Sequence, residues 1–424
     1  MPPGSPKICM VAPNASLQFG GEAALPWLFF KYLRQRGVDV HLVVHARTRT
    51  EVLAGLPNDH DRIHFSPETK IDRLLWKCGA PFPDKIDVQT FGIVRHLYNQ
   101  RFQRKIVRRL IAERGIQLVH EMTPVSPKQL SLMYNLGVPV VIGPLAGGMT
   151  YPPAFRHLES RGATAVEVVG RALSPLLNQL VPGKQNAAAL IVANDRARDA
   201  LPKGVRGKIF QIPDAGVDLA VWSHKVDLPP RSDDNIRFVY LGRLVDFKGV
   251  QFLIPAFKIV AEQEPRAVLE IVGDGERRRM LEQMAHRLNL QDRVNFAGWA
   301  SAEQAVIRLR QADVFVMPSL REVGGLVLLE AMAVGLPVIT TDWGGPAEHV
   351  TDETGIRVAP TSRDGFIQGF ADAMLRLARD GELRRRMGQA GLQRAQTNFY
   401  DWSQKTDRLL EIYAEVLAER AATV

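Results

Sequence analysis

The chain has 424 residues, of which 46% are hydrophobic and 23% are charged, as in a soluble globular protein of two or three domains. Its 54 Lys and Arg against 45 Asp and Glu make it basic, which suits an anionic substrate, an anionic membrane or a nucleic acid. Two cysteines exclude a disulfide framework and favour a reducing compartment. No apolar run reaches the length of a membrane span, and we expect no signal peptide.

Strands and helices alternate from the N-terminus. Residues 7–12 predict a buried strand, residues 22–35 an amphipathic helix and residues 38–44 a second strand. This alternation predicts an α/β protein with a parallel, Rossmann-like sheet. The loop after the first strand contains Gly20 and Gly21 without the Gly-x-Gly-x-x-Gly spacing, which argues against a dehydrogenase.

Residues 48–89 are irregular, and residues 91–114 predict a helix of unusual charge. Its basic residues are predicted on one side and its apolar residues mostly on the other: Arg101, Arg104, Lys105 and Arg108 against Phe102, Ile106, Val107, Leu110 and Ile111. This basic side is either a solvated face or a contact for anionic lipid headgroups or an anionic acceptor. Nucleic acid is a weaker alternative, because no aromatic interleaving or nucleic-acid motif accompanies the basic residues.

Three further strands are predicted before a domain boundary near residue 213, at residues 117–120, 138–144 and 187–193. The first ends at His120, which is either a satisfied structural histidine or a side chain pointing into a ligand crevice. The glycines after the second of these strands predict either an ordinary turn or a loop that faces a ligand. Asn194 is predicted to cap the helix that follows the third.

A strand at residues 236–241 begins the second domain, and Arg243 and Lys248 lie on the loop that follows it. Two cations at the carboxyl end of a strand suit a diphosphate, whereas an isolated pair is more often ordinary surface charge. The strand at residues 267–272 ends in only half of a dinucleotide motif, so that interpretation fails.

The most informative stretch is a predicted strand–loop–helix–strand unit. A buried strand at residues 312–317 leads to a turn at Gly324 and Gly325, a helix at residues 326–334 and a strand at residues 338–341. Free backbone N–H groups at the start of that helix favour an anionic ligand, typically phosphate.

Two carboxylates, Glu322 and Glu330, bracket this turn. A carboxylate beside an anion site makes sense when the ligand also carries hydroxyl groups, because it accepts two hydrogen bonds from a diol. The ligand predicted by this pattern is a phosphate flanked by sugars. The alternative is that Glu322 is a loop charge and Glu330 a solvated helix residue.

Three ordered motifs together resemble the retaining glycosyltransferases of family 4, which have the GT-B fold. They are Gly242-Arg243 with Lys248-Gly249, the Glu-x7-Glu stretch with its glycines, and residues 343–348. The resemblance is strongest over residues 236–358.

The resemblance implies two Rossmann-like domains with parallel sheets facing across a cleft. Residues 1–213 would form an acceptor-binding domain, with a helix at about 398–424 packing back on it. Residues 214–397 would form the nucleotide-sugar-binding domain.

Site residues follow from the same resemblance. Arg243 and Lys248 would bind the diphosphate, Glu330 the ribose, and Glu322 the donor sugar with the backbone of Gly324, Gly325 and Leu326. His120 would lie near the donor sugar, and Gly20 and Gly21 would approach a phosphate. Val323 stands where the family often has an aromatic residue, which leaves the packing over the sugar open. No cofactor and no essential metal are expected.

The expected reaction is transfer of a sugar, with retention, from a nucleotide diphosphate sugar to a hydroxyl acceptor. UDP-sugars are favoured, with GDP-mannose next. The acceptor is a glycan, a lipid-linked sugar or a small molecule, and the setting is cell-surface polysaccharide synthesis. The expected location is the cytoplasm, at the inner face of the cell membrane, with no nucleic-acid partner. Alternatives are a sugar-nucleotide epimerase, a phosphorylase for which no pyridoxal phosphate lysine is identifiable, and a non-catalytic nucleotide-sugar binding protein.

Overall fold

The computed structural model describes residues 6–18, 21–82, 87, 90–159, 174, 176–222, 233–398 and 400–423. Its contacts divide the chain into two compact units. The N-terminal unit comprises Met1–Gly148, Ser160–Asp214 and Trp402–Val424, and the C-terminal unit comprises Met149–Glu159 and Ala215–Asp401. The predicted N-terminal domain includes residues 149–159, whereas in the structure these residues belong to the C-terminal unit.

The described strands of the N-terminal unit are β1 (Lys7–Val11), β2 (Asp39–His45), β3 (Ile63–Ser66), β4 (Leu118–Glu121), β5 (Val140–Leu145), β6 (Ala189–Val192) and β7 (Lys208–Gln211). They form one sheet in the order β3-β2-β1-β4-β5-β6-β7, and every adjacent pair is parallel. The predicted parallel, Rossmann-like sheet is therefore confirmed, with β7 added after the last predicted strand.

The described helices of this unit before residue 214 include α1 (Ala24–Gln35), α2 (Arg49–Gly55), α3 (Lys70–Gly79), α4 (Phe91–Arg114) and α5 (Asp195–Asp199). The prediction that residues 48–89 are irregular is wrong, because α2, β3 and α3 all fall there. A capping box of Thr69 and Asp72 starts α3, and that pattern was available in the sequence. Asn194 caps α5 as predicted, since its side chain accepts a hydrogen bond from the Ala197 backbone N–H.

Helix α4 has its predicted bounds but not its predicted buried face. Val107 and Leu110 are buried, whereas Phe102, Ile106 and Ile111 are only half-buried. Much of the buried face is polar, because each side chain finds a partner across the unit. These hydrogen bonds are His96 to the Leu130 carbonyl (3.0 Å), Asn99 with Ser66 (2.6 Å), Gln100 to Glu121 (2.6 Å) and Gln103 to the Ala12 carbonyl (2.7 Å).

The described strands of the C-terminal unit are β8 (Ile236–Leu241), β9 (Ala267–Val272), β10 (Val294–Gly298), β11 (Val314–Met317), β12 (Val338–Thr341) and β13 (Gly355–Val358). They form a second parallel sheet in the order β10-β9-β8-β11-β12-β13. All residues of β11 and β12 are buried, as expected for central strands covered on both faces.

The described helices around this sheet are α6 (Leu219–Trp222), α7 (Val250–Gln263), α8 (Arg278–Arg287), α9 (Ala302–Arg310), α10 (Leu326–Ala333), α11 (Gly345–His349), α12 (Arg363–Arg379) and α13 (Gly381–Thr397). The segment Met149–Glu159 completes the core of this unit. Tyr151 and Phe155 are buried in it, and the Phe155 ring meets those of Phe252 (5.3 Å) and Phe366 (5.5 Å) edge-on.

The last helix, α14 (Trp402–Thr423), belongs to the N-terminal unit. Leu409, Ile412 and Tyr413 are buried in the core of that unit, and Trp402 meets Phe29 edge-on with ring centroids 5.4 Å apart. Among the described residues, no helix is long and apolar enough to cross a lipid bilayer.

Candidate functional site

The predicted donor residues lie at one point of the C-terminal sheet. Strands β8 and β11 are parallel neighbours, although β9 and β10 come between them in the chain. The strand order reverses here, and ligands of open α/β sheets bind beside the carboxyl ends of the strands at such a point. The loop after β8 carries Arg243 and Lys248, and the loop after β11 carries Glu322 and the glycine pair.

These two loops are tied together through their backbones. The Leu320 N–H donates to the Phe247 carbonyl (2.8 Å). Gly249 has a φ of +76°, and a Cβ atom there would lie 2.0 Å from the Pro318 carbonyl oxygen. Only glycine fits this position, so the two loops hold their charged side chains at a fixed spacing.

Lys248 and Glu322 form an ion pair between the two loops. Their side chains are 15% and 17% exposed, so the pair is largely withdrawn from water. The sequence predicted a role for each residue but not this contact. The pair has no net charge, and an incoming diphosphate would compete with the Glu322 carboxylate for the Lys248 ammonium.

Arg243 is the more accessible cation of this site. Its side chain is exposed, and its guanidinium lies 5.9 Å from the centre of the Phe247 ring. The Tyr240 hydroxyl donates to the Arg243 carbonyl (3.0 Å), which fixes the backbone. Within the described ranges no carboxylate pairs with this guanidinium, which leaves its donors available to an anion.

Gly325, with a φ of +65°, precedes the first residue of α10. The Gly324 carbonyl accepts a hydrogen bond from Nε2 of buried His349 (2.7 Å), and Nδ1 of that ring faces the Tyr400 hydroxyl (2.9 Å). A carbonyl only accepts, so Nε2 carries a proton and donates it to Gly324. His349 thus orients the glycine pair, a role that the sequence analysis missed.

Glu330 lies on α10 and is half-buried. Burial raises the pKa of its carboxyl group to about 7. No hydrogen bond or ion pair of this side chain occurs among the described residues. A partly desolvated carboxylate without a partner gains strongly from ligand hydroxyl groups, which fits the predicted contact with a ribose diol.

The segment Met149–Glu159 also reaches these loops within the C-terminal unit. Arg321 Nε donates to the Met149 carbonyl (3.2 Å), and Trp343 Nε1 donates to the Thr150 carbonyl (2.9 Å). Gly344 has a φ of +70°, and a Cβ atom there would lie 2.2 Å from the Met149 methyl group. The motif at residues 343–348 therefore anchors this segment.

His120, in the N-terminal unit, is fully buried. Its Nε2 donates to the Gly143 carbonyl (2.8 Å), and its Nδ1 faces the Tyr413 hydroxyl (2.5 Å). Burial lowers the pKa of the imidazole to about 4. Both ring nitrogens are occupied, so direct contact with a sugar would require one of these hydrogen bonds to break, and the catalytic role of His120 stays a prediction.

Comparison with known proteins gives the family. Residues 224–394 match the family model described as glycosyl transferases group 1. The alpha-D-kanosaminyltransferase of Streptomyces kanamyceticus is 30% identical over 292 residues, which are 66% of this chain and 72% of that protein. The chain belongs to the group 1 glycosyltransferases. The predicted relationship is confirmed at this level, whereas membership of family 4 stays a prediction.

Another relative of this group 1 glycosyltransferase matches over less of its length. An uncharacterized glycosyltransferase of Methanocaldococcus jannaschii is 34% identical over 152 residues, 35% of this chain and 39% of that protein. The crystal structure of Anabaena HepE in complex with UDP has a TM-score of 0.64 and 16% identity, covering 96% of this chain and all of that chain (100%). This likeness confirms the GT-B fold class.

The glycine loop after β1 of this glycosyltransferase is only partly described. Gly20 lies outside the described residues, and Gly21 has a φ of +47°. The Glu51 carboxylate holds the preceding turn, since it accepts from the Leu17 N–H (2.8 Å), the Gln18 N–H (3.1 Å) and the Ser16 hydroxyl (2.6 Å). Phosphate contact by this loop stays a prediction.

Proposed function

We propose that this group 1 glycosyltransferase moves a sugar from a nucleotide diphosphate sugar to a hydroxyl acceptor, with retention of configuration. The observation that carries the proposal is the arrangement at the β8–β11 switch point. An accessible guanidinium and a paired ammonium lie on the loop after β8, and an unpaired carboxylate lies on α10, the helix that follows the loop after β11. That set matches the charges and hydroxyls of a nucleotide diphosphate sugar.

Arg243 and Lys248 stabilise the leaving group in this mechanism. As the bond between the anomeric carbon and the diphosphate oxygen breaks, negative charge grows on that oxygen. Preorganised cations favour this charge over the ground state, which is the usual main source of such rate enhancement. The acceptor hydroxyl forms the new bond to the anomeric carbon and passes its proton to the diphosphate oxygen whose bond to that carbon breaks.

Glu322 has two partners in turn. Without donor it pairs with Lys248. With donor bound, the ammonium turns to the diphosphate, and the carboxylate accepts hydrogen bonds from the sugar hydroxyls. The backbone N–H groups of Gly324, Gly325 and Leu326 donate to oxygen atoms of the donor. Glu330 accepts from the ribose diol.

A UDP-sugar is the favoured donor, followed by GDP-mannose. HepE, which shares the fold, was solved with UDP. Two cations at the diphosphate supply the neutralisation that a divalent ion gives in other enzymes, so we propose that no metal is essential. The acceptor class is a glycan, a lipid-linked sugar or a small molecule, used at the cytoplasmic face of the membrane.

A donor panel tests the proposal. Purified full-length protein is mixed with UDP-, GDP- and ADP-sugars, with and without EDTA, and nucleotide release and thermal stabilisation are measured. We expect one nucleotide class to stabilise the protein and to be released slowly, with no effect of EDTA. Arg243→Ala should lose both signals, while Arg279→Ala, an exposed arginine on another helix, should keep them.

Other outcomes identify other functions. Consumption of the nucleotide sugar into an isomer without release of nucleotide would mark an epimerase. Binding without turnover for every hydroxyl acceptor would mark a non-catalytic binding protein. If no sugar nucleotide stabilises the wild-type protein, the proposed site is refuted.

A further inference from the structure

A cavity of about 440 Å³ lies in the N-terminal unit, beside strand β3 and helix α4. Its lining includes four basic side chains, Arg49, His64, Lys105 and Arg109, and the rings of Phe65 and Phe102. None of its lining residues, all of them in the described part of the chain, is acidic. The proposed transfer reaction uses none of these residues.

The positive charges of this cavity are poorly compensated. Among the described residues, Arg109 pairs only with Glu113, at 3.8 Å, and both side chains are more than half exposed (59% and 61%). Solvent-exposed ion pairs of that kind contribute little interaction free energy, so Glu113 compensates the Arg109 charge only weakly. Within the described ranges, no carboxylate pairs with Arg49 or Lys105. A concave, uncompensated basic surface concentrates anions.

His64 lines the same cavity. Burial, followed by the neighbouring His41 and Arg109, lowers the pKa of its imidazole to about 4. Its Nε2 lies 3.0 Å from Nδ1 of His41. An anion bound between Arg49, Lys105 and Arg109 would favour the imidazolium and so raise this pKa.

The rest of the cavity is apolar and partly pre-organised. The Arg49 guanidinium lies 4.2 Å from the centre of the Phe65 ring, so stacking holds the cation on the cavity wall. Strand β3 ends the sheet and pairs, among the described strands, with β2 alone. Its outer backbone N–H groups are therefore available as further donors. Cations above aromatic and aliphatic walls suit a ligand with an anionic head and an apolar body.

We propose that this cavity binds a phosphate group carried by an apolar alcohol. Arg49, Lys105 and Arg109 neutralise the phosphate, and the alcohol lies along Phe65 and Phe102. The same chemistry occurs in a single prenyl phosphate molecule and in the headgroup of an anionic phospholipid. Binding here is independent of the donor site, because no residue is shared with the β8–β11 loops.

The test measures binding of farnesyl monophosphate to the full-length protein by calorimetry, with inorganic phosphate and farnesol as head-only and tail-only probes. We expect farnesyl monophosphate to bind at least about tenfold tighter than either, a difference of about 1.4 kcal/mol. Lys105→Ala/Arg109→Ala should weaken it about tenfold or more. A matched removal of two exposed cations elsewhere, Lys203→Ala/Arg386→Ala, should not.

Arg243→Ala separates this site from the donor site, since it should abolish donor binding and leave farnesyl monophosphate binding intact. In wild-type protein the NMR-detected pKa of His64 should rise on binding.

Vesicles of phosphatidylglycerol and of phosphatidylcholine identify the source of the phosphate group. Recruitment to the anionic vesicles that is lost in Lys105→Ala/Arg109→Ala indicates a headgroup, and binding of the monophosphate alone indicates a single molecule. Equal affinity in Lys105→Ala/Arg109→Ala and wild type, or an unmoved His64, overturns the proposal.

Discussion

The Lys248 ammonium and the Glu322 carboxylate lie in contact although 74 residues separate them in the chain. Their two loops follow adjacent parallel strands, so the pair spans the point where the order of the C-terminal sheet reverses. Each of the two residues has a separate role in the proposed reaction, and their contact couples those roles.

Replacing Lys248 should slow the chemical step. We expect Lys248→Ala to lower kcat by about 10² to 10³, because one preorganised charge is removed from the developing diphosphate charge. Steady-state kinetics with the preferred donor measures the change. Lys258→Ala, which removes a helix lysine paired with Glu262 at 3.1 Å, serves as the control, and equal rates in both variants would contradict the leaving-group role.

Glu322→Gln should separate nucleotide affinity from turnover. The neutral amide no longer competes for the Lys248 ammonium, so we expect UDP, or whichever nucleotide the panel identifies, to bind more tightly than in wild type. Turnover should fall, because the sugar loses a charge-assisted hydrogen bond. Calorimetry and kinetics on one preparation test both directions, and weaker nucleotide binding in the variant would rule out the exchange of partners.

Glu330 should make the stability of the ligand-free protein depend on pH. Its pKa in the folded chain, about 7, is raised above the ordinary 4.5, so stability is full below pH 4.5 and decreases as pH rises through 7. Glu330→Gln lacks this loss. We therefore expect the Tm of the variant, relative to wild type, to increase between pH 5 and 8. The increase should be about 2–4 °C for each kcal/mol of unfolding free energy that the wild-type protein loses.

Nucleotide binding by the same variant is an independent check on the Glu330 assignment. Loss of a hydrogen bond to a charged group costs about 1.5–3 kcal/mol, so affinity should fall by at least about tenfold. Unchanged affinity for the nucleotide, together with unchanged affinity for the corresponding nucleotide sugar, would show that Glu330 does not contact the ribose.

His349 should act by positioning the glycine pair. His349→Ala leaves the Gly324 carbonyl and the Tyr400 hydroxyl without this partner, which costs about 1–3 kcal/mol for each buried group. We expect a raised KM for the donor as well as a lower Tm. In His349→Gln the side-chain amide can still donate to the Gly324 carbonyl. Compared with His349→Ala, this variant should recover most of the wild-type KM but less of the wild-type Tm. A loss of Tm with no change in KM would indicate a purely structural role.

His120 should weaken the fold in acid. Its folded-state pKa of about 4 lies below the ordinary 6.5, so its contribution is full above pH 6.5 and is lost as pH falls towards 4. We expect a thermal scan of His120→Gln to show a smaller decrease in Tm over that interval than wild type. Transfer by this variant at pH 7.5 tests the catalytic prediction, and a wild-type rate would count against it.

The sequence was most informative about candidate site residues that lie just after the end of a strand. Strands β8 and β11 were predicted closely, and residues at the carboxyl ends of neighbouring parallel strands share one edge of a sheet, which brought Arg243, Lys248 and Glu322 together. The ion pair itself was not predictable, because it depends on side-chain conformations across two loops.

Burial of polar residues was the feature least predictable from the sequence. From the sequence alone, His120 at the end of a strand could equally be a structural histidine or a side chain in a ligand crevice. In the structure, the ring lies in the core and contacts the hydroxyl of Tyr413, which is 293 residues further along the chain. The polar buried face of α4 was missed for the same reason, since its partners come from distant segments.

The chain passes between its two units at four points, after residues 148, 159, 214 and 401. A contiguous fragment such as 215–401 would lack Tyr151 and Phe155, two aromatic side chains from its own interior. Chimeras that exchange the C-terminal unit between related glycosyltransferases at a single junction should therefore yield unstable proteins unless residues 149–159 are transplanted with it. In this glycosyltransferase, one compact unit is thus built from two separate pieces of chain, and both are needed to fill its interior.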